Sequence, residues 1–258
     1  MRRVIITFDD GRLDNYEYAL PVLRKYGLQA TFFITTGYID GSFCPATWKS
    51  SEGPMNIDQL REMAELGNEI ALHGDRHKTE KEDFENCWKK MSQWLGNGGK
   101  YGFSIPGSHY DREYLERFMK DEKERLLYVR GGSLGRGKNN AIRKILKGLR
   151  VYTNCRSYFA YYNSANILPG TPDRQVVPSI GIRETDKPGK MQYFLDKMPD
   201  GHSVVFMFHS ILPDDSPRLG QDPWCWSLSR FESFCRYLSE KASGGGIQVV
   251  TMRDLFKR

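Results

Sequence analysis

The chain has 258 residues, of which 39% are hydrophobic and 27% are charged, and its formal net charge is +6. This composition is typical of a globular protein with enough residues for a large core, and it excludes a disordered or fibrous chain. Because no apolar run is long enough to cross a bilayer and the chain passes from Met1 almost directly into a strand pattern, we expect a cytoplasmic protein without a signal peptide.

Apolar and polar patterns predict strands and helices that alternate along the whole chain. The predicted strands are residues 4–8, 29–35, 69–72, 101–105, 126–129, 151–155, 176–182, 203–208 and 247–251. The predicted helices are residues 14–27, 56–67, 79–95, 111–123, 139–149, 189–198 and 227–242. Asp14, Asn56 and Asp111 are candidate N-caps, and two loops, residues 36–55 and 212–226, are longer than ordinary connections.

This alternation predicts the fold class. Strands separated by helices at this spacing form a parallel sheet with right-handed crossovers. About seven or eight such units predict an α/β protein with a distorted (β/α)7-8 barrel. Neither a linker nor an internal repeat divides the sequence, so we expect residues 1–258 to form a single domain.

Positive charge is concentrated in one stretch, where seven basic residues occur without an acidic one. They are Arg130, Arg136, Lys138, Arg143, Lys144, Lys147 and Arg150. Such a stretch either forms the solvated face of a helix or attracts phosphate or an anionic membrane surface. No nucleic-acid motif accompanies it, so we expect no nucleic-acid partner. The five cysteines lack a CxxC pair, which fits a reducing compartment.

Residues suited to metal-assisted hydrolysis follow the ends of four predicted strands. They are Asp9, Asp10, His73, Pro106, Gly107 and His209. Because the C-terminal ends of parallel barrel strands lie on one face, we expect these residues to converge. Taken alone, Asp9-Asp10-Gly11 would equally form an ordinary strand-to-turn junction.

His73 and His77 are four residues apart, a spacing that aims both imidazoles at one ligand on a helical turn. Two imidazoles and one carboxylate, here Asp10, are a common set of catalytic zinc ligands with a position open for water. Asp9 would then act as general base, and His209 would protonate the leaving group. The alternatives are a pair of surface histidines and, for His209, a core histidine.

Four motifs occur in order: Thr7-Phe8-Asp9-Asp10-Gly11, His73-x-x-x-His77, Phe103-Ser104-Ile105-Pro106-Gly107 and Met207-Phe208-His209. This order resembles the NodB-homology polysaccharide deacetylases, carbohydrate esterase family 4. The resemblance implies the same distorted barrel and a divalent metal, most often zinc, bound by Asp10, His73 and His77. It also implies Asp9 as base, His209 as acid and the backbone N–H of Gly107 as a donor to the oxyanion.

Two positions depart from the family pattern. The family has an arginine two residues before the proline, where this sequence has Ser104. Arg76, Arg130 and Arg183 are candidates to supply that arginine from elsewhere. The family's aspartate and tryptophan that orient the acid histidine have no clear match, and the candidate aspartates are Asp173 and Asp186.

Three residues, Ser104, Pro106 and Trp226, are predicted to contact the substrate. In Trp224-Cys225-Trp226 the tryptophans would either form a wall for a sugar ring or pack the barrel rim.

The residues and the resemblance together predict a metal-dependent hydrolase that removes an N-acetyl or N-formyl group from an amino sugar. The substrate would be a glycan or a nucleotide- or lipid-linked precursor, with peripheral contact to an anionic membrane through the basic stretch. One alternative is an amide hydrolase for a non-sugar substrate such as a cyclic ureide. Another is a glycan-binding protein that keeps the metal pocket and has lost turnover.

Overall fold

The computed structural model describes residues 1–96, 98–108, 111–132, 168–169 and 176–257 of the chain. The strands are β1 (Arg2–Phe8), β2 (Thr31–Ile34), β3 (Glu69–Leu72), β4 (Tyr101–Ser104), β5 (Leu126–Arg130), β6 (Leu168–Pro169), β7 (Val176–Val177), β8 (Ile180–Gly181), β9 (His202–Phe208), β10 (Ser210–Leu212), β11 (Cys225–Ser227) and β12 (Ile247–Val249). The α-helices are α1 (Leu20–Lys25), α2 (Thr36–Ile39), α3 (Ile57–Glu65), α4 (Lys81–Leu95), α5 (Arg112–Asp121), α6 (Pro188–Lys197) and α7 (Leu228–Ser243).

Ten of the described strands form one mostly parallel sheet that curls into a distorted barrel, and β10 and β11 form a separate parallel pair. Strands β1 to β5 pair side by side in sequence order, and β9 lies parallel to β1 on its other side. Residues 176–181 close the ring, because β7 pairs with β5 and β8 pairs with β9. The short β12 pairs with the N-terminal half of β1, and β6 is antiparallel to β9. The predicted distorted (β/α) barrel is therefore confirmed.

Strand residues alternate between two apolar layers, as the period of a strand requires. Val4, Ile6 and Phe8 of β1 face the layer under the helices, where Phe8 stacks on Phe32 with ring centroids 4.9 Å apart. Ile5 faces a second cluster that includes one residue from each of several barrel strands and Leu255 from the 3₁₀ turn Arg253–Phe256. This second cluster fills the barrel interior, so we look for a catalytic site at the ends of the strands.

Most predicted elements are confirmed, and the exceptions have local causes. Residues 14–27 form a π-helical turn, Asn15–Ala19, followed by α1, and Asp14 does not cap them because its carboxylate accepts from the backbone N–H of Ile211. Residues 176–182 divide into β7 and β8. The Asn56 capping box and the Asp111 cap are present.

Some predictions fall outside the described residues. These are the helix at 139–149, the strand at 151–155, Asp173 and every member of the basic stretch except Arg130. In the part of the chain that is described, no helix has both the length and the apolarity to cross a membrane. The four cysteines described, Cys44, Cys87, Cys225 and Cys235, are free thiols.

Candidate active site

Three predicted metal ligands lie together at the C-terminal face of the barrel. One ligand atom from each of Asp10, His73 and His77 lies within 4.8 Å of the others. The Oδ1 atom of Asp10 is 3.5 Å from Nε2 of His73 and 3.7 Å from Nε2 of His77. Ligand atoms around a tetrahedral zinc, with bonds of about 2.0–2.1 Å, are about 3.4 Å apart, so the spacing suits a metal ion.

The protonation of His73 also fits a metal ligand. Its Nδ1 is 2.9 Å from the carbonyl oxygen of Ser104, which can only accept, so Nδ1 carries the proton and Nε2 keeps its lone pair. Burial, reinforced by the nearby His77, lowers the pKa of His73 to about 3. Asp10 Oδ1 is buried and has no hydrogen-bond donor among the described residues. The donor set therefore fits a divalent cation.

The two histidines reach this arrangement from a loop, which corrects the prediction of a helical turn. Gly74 and His77 have positive φ angles of 82° and 56°, and no helix is assigned between β3 and α4. Asp83 of α4 fixes the loop, since its carboxylate accepts from the backbone N–H of Asp75 at 2.9 Å and of Arg76 at 2.8 Å. A side chain at Gly74 would collide with this carboxylate.

An arginine holds Asp10 in position. Arg12 donates to Asp10 Oδ2 through Nε at 2.8 Å, and its Nη2 is also 2.8 Å away. The same buried guanidinium donates through Nη1 to Ser50 Oγ and Ser210 Oγ, both at 2.9 Å. Because Oδ2 is bound to Arg12, Oδ1 is the oxygen that faces the histidines.

A second arginine holds Asp9. Arg130, at the end of β5, donates through Nη2 to Asp9 Oδ2 and to Ser104 Oγ, and it is 1% exposed. Burial raises the pKa of Asp9, and Arg130 opposes that shift by charge and by hydrogen bonding. Asp9 Oδ1 is buried without a hydrogen-bond donor among the described residues. Of the three candidate arginines, Arg130 is therefore the one that reaches the aspartate.

His209 follows β9 beside these residues. Asn15 donates to its carbonyl oxygen at 2.6 Å, and its ring centroid is 4.8 Å from that of Trp224. Burial, and after it the charges of Arg12 and Arg130, lower the pKa of His209 well below its ordinary value. Its Nδ1 is buried without a hydrogen-bond partner in the described part of the chain.

The other candidates separate into rim and interior. Gly107 is exposed in a 3₁₀ turn, Pro106–Ser108, with a φ of 64°, and Pro106 is buried at the start of that turn. Ser104 is fully buried and accepts from Arg130 through Oγ and from His73 through its carbonyl oxygen, so its contact with substrate stays a prediction. Trp226 is 1% exposed and packs on Phe208 in the core, so its contact with substrate also stays a prediction.

Sequence reasoning missed Arg12, Asp83, Ser210 and Trp48. Trp48, in the long loop after β2, contacts His77 at a centroid distance of 5.2 Å and lies 5.3 Å from the guanidinium carbon of Arg12. The one signal in the sequence is Arg12 itself, which follows the aspartate pair directly. Of the two aspartates predicted to orient His209, Asp173 lies outside the described residues, and Asp186 Oδ2 accepts from the backbone N–H of Arg183.

Comparison with known proteins shows which family the N-terminal part of the chain is similar to. Residues 1–122 match the family model for polysaccharide deacetylase. YxkH of Bacillus subtilis (strain 168), named as a polysaccharide deacetylase, is 39% identical over 74 residues, which are 29% of this chain and 23% of YxkH. The chain thus covers less than a quarter of the length of that relative.

Solved structures show the same fold over nearly the whole chain. A family 4 acetyl xylan esterase from Clostridium thermocellum, in complex with a cobalt ion, aligns with a TM-score of 0.54 at 14% identity, over 98% of this chain and 90% of that chain. The Bc1960 peptidoglycan N-acetylglucosamine deacetylase also aligns with a TM-score of 0.54, at 13% identity, over 98% and 87% of the two chains. Residues 1–122 are therefore similar to the polysaccharide deacetylases, and the chain shares the fold of these solved structures.

Proposed function

We propose that this protein hydrolyses the N-acetyl or N-formyl group of an amino sugar, in a glycan or a nucleotide- or lipid-linked glycan precursor. The observation that carries the proposal is the cluster of Asp10, His73 and the half-buried His77, with Asp9 directly beside it. A divalent cation held by the cluster, for which we expect zinc, would supply a Lewis acid and lower the pKa of a water molecule next to it.

Asp9 supplies the general base in this proposal. Its Oδ2 is fixed by Arg130, and its Oδ1 has no donor among the described residues, so Oδ1 is the oxygen that would take a proton from the attacking water. His73 Nε2 is 3.7 Å from Asp9 Oδ2, so base and metal ligands share one small volume. The backbone N–H of Gly107, in an exposed turn after β4, would stabilise the oxyanion.

His209 would give a proton to the departing amine nitrogen. Its lowered pKa makes it a strong acid when protonated, but keeps it mostly neutral at neutral pH. Among the described residues, His209 Nδ1 has no carboxylate partner that would orient the ring as an acid, which favours a second candidate function, a glycan-binding protein with little turnover.

One experiment separates these functions. Release of the acyl group is measured from a panel of N-acetylated and N-formylated amino sugars and a cyclic ureide, with and without a chelator, for the wild type and Asp9→Asn. The proposal expects release from a sugar that stops with chelator and falls about 100-fold or more in Asp9→Asn. Release from the ureide alone would show that the substrate is a non-sugar amide. Sugar binding without acyl release would favour the second function.

A further inference from the structure

Two adjacent buried side chains hold the backbone around His209. The Asn15 amide donates to the carbonyl oxygen of His209 at 2.6 Å and to Asp14 Oδ1 at 2.9 Å. Because a carbonyl oxygen can only accept, the amide nitrogen is the atom that faces His209. The Asp14 carboxylate accepts from the backbone N–H of Ile211 at 2.9 Å and from Ser210 Oγ at 3.0 Å. These two side chains therefore bind three consecutive residues between the end of β9 and the start of β10.

The local structure shows that Asp14 and Asn15 serve this segment. Both residues are fully buried, and the π-helical turn Asn15–Ala19 begins at Asn15 without a hydrogen bond from the Asp14 side chain to cap it. Turns of this type are rare and occur frequently at functional sites. Burying a carboxyl group and an amide costs free energy unless hydrogen bonds compensate for it. Among the described residues, their side-chain hydrogen bonds go to each other and to residues 209–211.

This hold on the backbone matters because the His209 ring has no carboxylate partner in the described part of the chain, where its buried Nδ1 lacks a hydrogen bond. The ring lies against Trp224, with centroids 4.8 Å apart. The backbone N–H of Ser210 donates to the carbonyl oxygen of Trp224 at 3.2 Å. With the indole against the ring, the direction of the imidazole depends on the position of the His209 backbone, which Asn15 fixes.

We infer that Asn15 is a positioning residue for the acid step, because its hold on the His209 backbone, shared with Asp14, sets the imidazole where it can protonate the departing nitrogen. The inference rests on the proposed function and deepens it. In that step the C–N bond breaks and its electron pair goes to nitrogen, which takes the proton from His209, after water has given a proton to Asp9. One water molecule is thus added across the amide bond, and no other reactant is needed. Since Asn15 acts through His209, its loss should affect only substrates whose leaving group needs a proton.

The dependence on the leaving group tests the inference. An amine must be protonated to depart, whereas the 4-nitrophenolate of 4-nitrophenyl acetate leaves without a proton. Asn15→Leu keeps a similar volume and lacks the donor. For the best N-acetylated sugar of the panel above, we expect it to lower kcat about 10-fold with KM unchanged, the upper end for a typical hydrogen bond. The kcat for 4-nitrophenyl acetate should change less than about twofold, because its departure needs no acid.

A double variant shows whether Asn15 acts through His209. His209→Ala should have the same selectivity with a larger loss on the amide, about 100-fold or more, as expected for a general acid. Adding Asn15→Leu to His209→Ala should then lower kcat no further, because the residue that Asn15 positions is already gone.

Asn68 offers a matched control. It is a buried asparagine one residue before β3, at the opposite end of that strand from His73. Its amide also holds the backbone, since it donates to the carbonyl oxygen of Met63 at 3.1 Å and accepts from the N–H of Ala30 at 3.0 Å. Asn68→Leu should lower the stability to urea and leave kcat for both substrates unchanged. If Asn15→Leu does not fold, Asn15→Ser, whose shorter side chain does not reach the His209 carbonyl, should show the same selectivity.

The outcomes separate this inference from the proposed function. Equal losses for amide and ester, or a further loss in the His209→Ala background, overturn the inference and leave the function standing. NMR of ring-labelled histidines reads the His209 imidazole without turnover, and its signal is the one absent from His209→Ala. Asn15→Leu should shift this signal and leave that of His202, at the other end of β9, unchanged. A shifted signal without hydrolysis of any amide supports the hold on His209 and overturns the function, and an unshifted signal overturns the inference.

Discussion

Replacing Arg130 with serine should abolish most activity while leaving the candidate metal ligands in place. The Arg130 guanidinium is fully enclosed and donates to Asp9, Ser104 and, at 2.9 Å, Ser179 Oγ. Removing one partner of a buried ion pair costs about 3–5 kcal/mol when the other charge stays ionised. Asp9 escapes that cost by taking up a proton, because Arg130 is the main group that opposes the rise of its pKa. A protonated Asp9 cannot act as base, so kcat should fall about 100-fold or more.

The strand register offers a rescue that isolates the guanidinium. Ser104 on β4 lies directly opposite Arg130 on β5. The double variant Ser104→Arg with Arg130→Ser moves the guanidinium to the neighbouring strand at the same level, two residues before Pro106. We expect the double variant to be about 10-fold or more faster than Arg130→Ser, within the range of measured coupling energies between contacting residues. Ser104→Arg alone should destabilise the protein, because it adds a second buried guanidinium to a filled site.

The assay is acyl release at saturating divalent cation, with metal affinity from titration and stability from urea unfolding of each variant. The reasoning is refuted if folded Arg130→Ser keeps kcat within about threefold of the wild type, well short of the loss of a general base. If the folded double variant is no faster than Arg130→Ser, the function of Arg130 is not to hold and ionise Asp9.

Three further predictions concern the loop that carries His73 and His77, the buried carboxyl group of Asp14 and the barrel interior. Asp83→Ala removes the acceptor that fixes the two-histidine loop, so metal affinity measured by titration should fall about 10-fold or more. Burial raises the pKa of Asp14 to about 7, so the folded protein keeps a proton that the unfolded chain releases near its ordinary value of 3.8, and stability falls as pH rises through this window. The free energy of unfolding, measured with urea, should therefore fall more between pH 4 and pH 8 in the wild type than in Asp14→Asn. The two decreases should differ by at most about 4 kcal/mol. Gly102→Ala would place a methyl group on the Tyr128 ring and should cost about 1–3 kcal/mol in urea unfolding, whereas Gly189→Ala, which faces open space, should not.

The residues that come directly after strands were predictable, because parallel barrel strands all present their C-terminal ends to one face. Asp9, Asp10, His73 and His209 occupy such positions, and the structure brings the first three together. The partner of Asp9 was not predictable in the same way. It depends on the β4–β5 register and on the length of the Arg130 side chain, and neither is encoded near Asp9 in the sequence.

Two cases show where local patterns fail. The spacing of His73 and His77 fits a helix, but Gly74 with a positive φ and the Asp83 carboxylate from α4 hold the segment as a loop. The two tryptophans of the last long loop look equivalent in the sequence. Pairing of β11 with β10 sets Ile211 opposite Trp226 and turns that tryptophan into the core, whereas Trp224 precedes the strand and stays at the rim.

The adjacent carboxylates of Asp9 and Asp10 would repel each other. In this fold each carboxylate is paired with a different arginine. Arg12 takes Oδ2 of Asp10 and Arg130 takes Oδ2 of Asp9, which leaves one buried oxygen on each without a donor among the described residues. A φ of 83° at Asp10 turns its backbone away from the β1 direction, and its free oxygen meets the histidines. One carboxylate can thus serve a cation while its neighbour accepts a proton, so the order of the two aspartates is essential and exchanging their partners would not preserve the site.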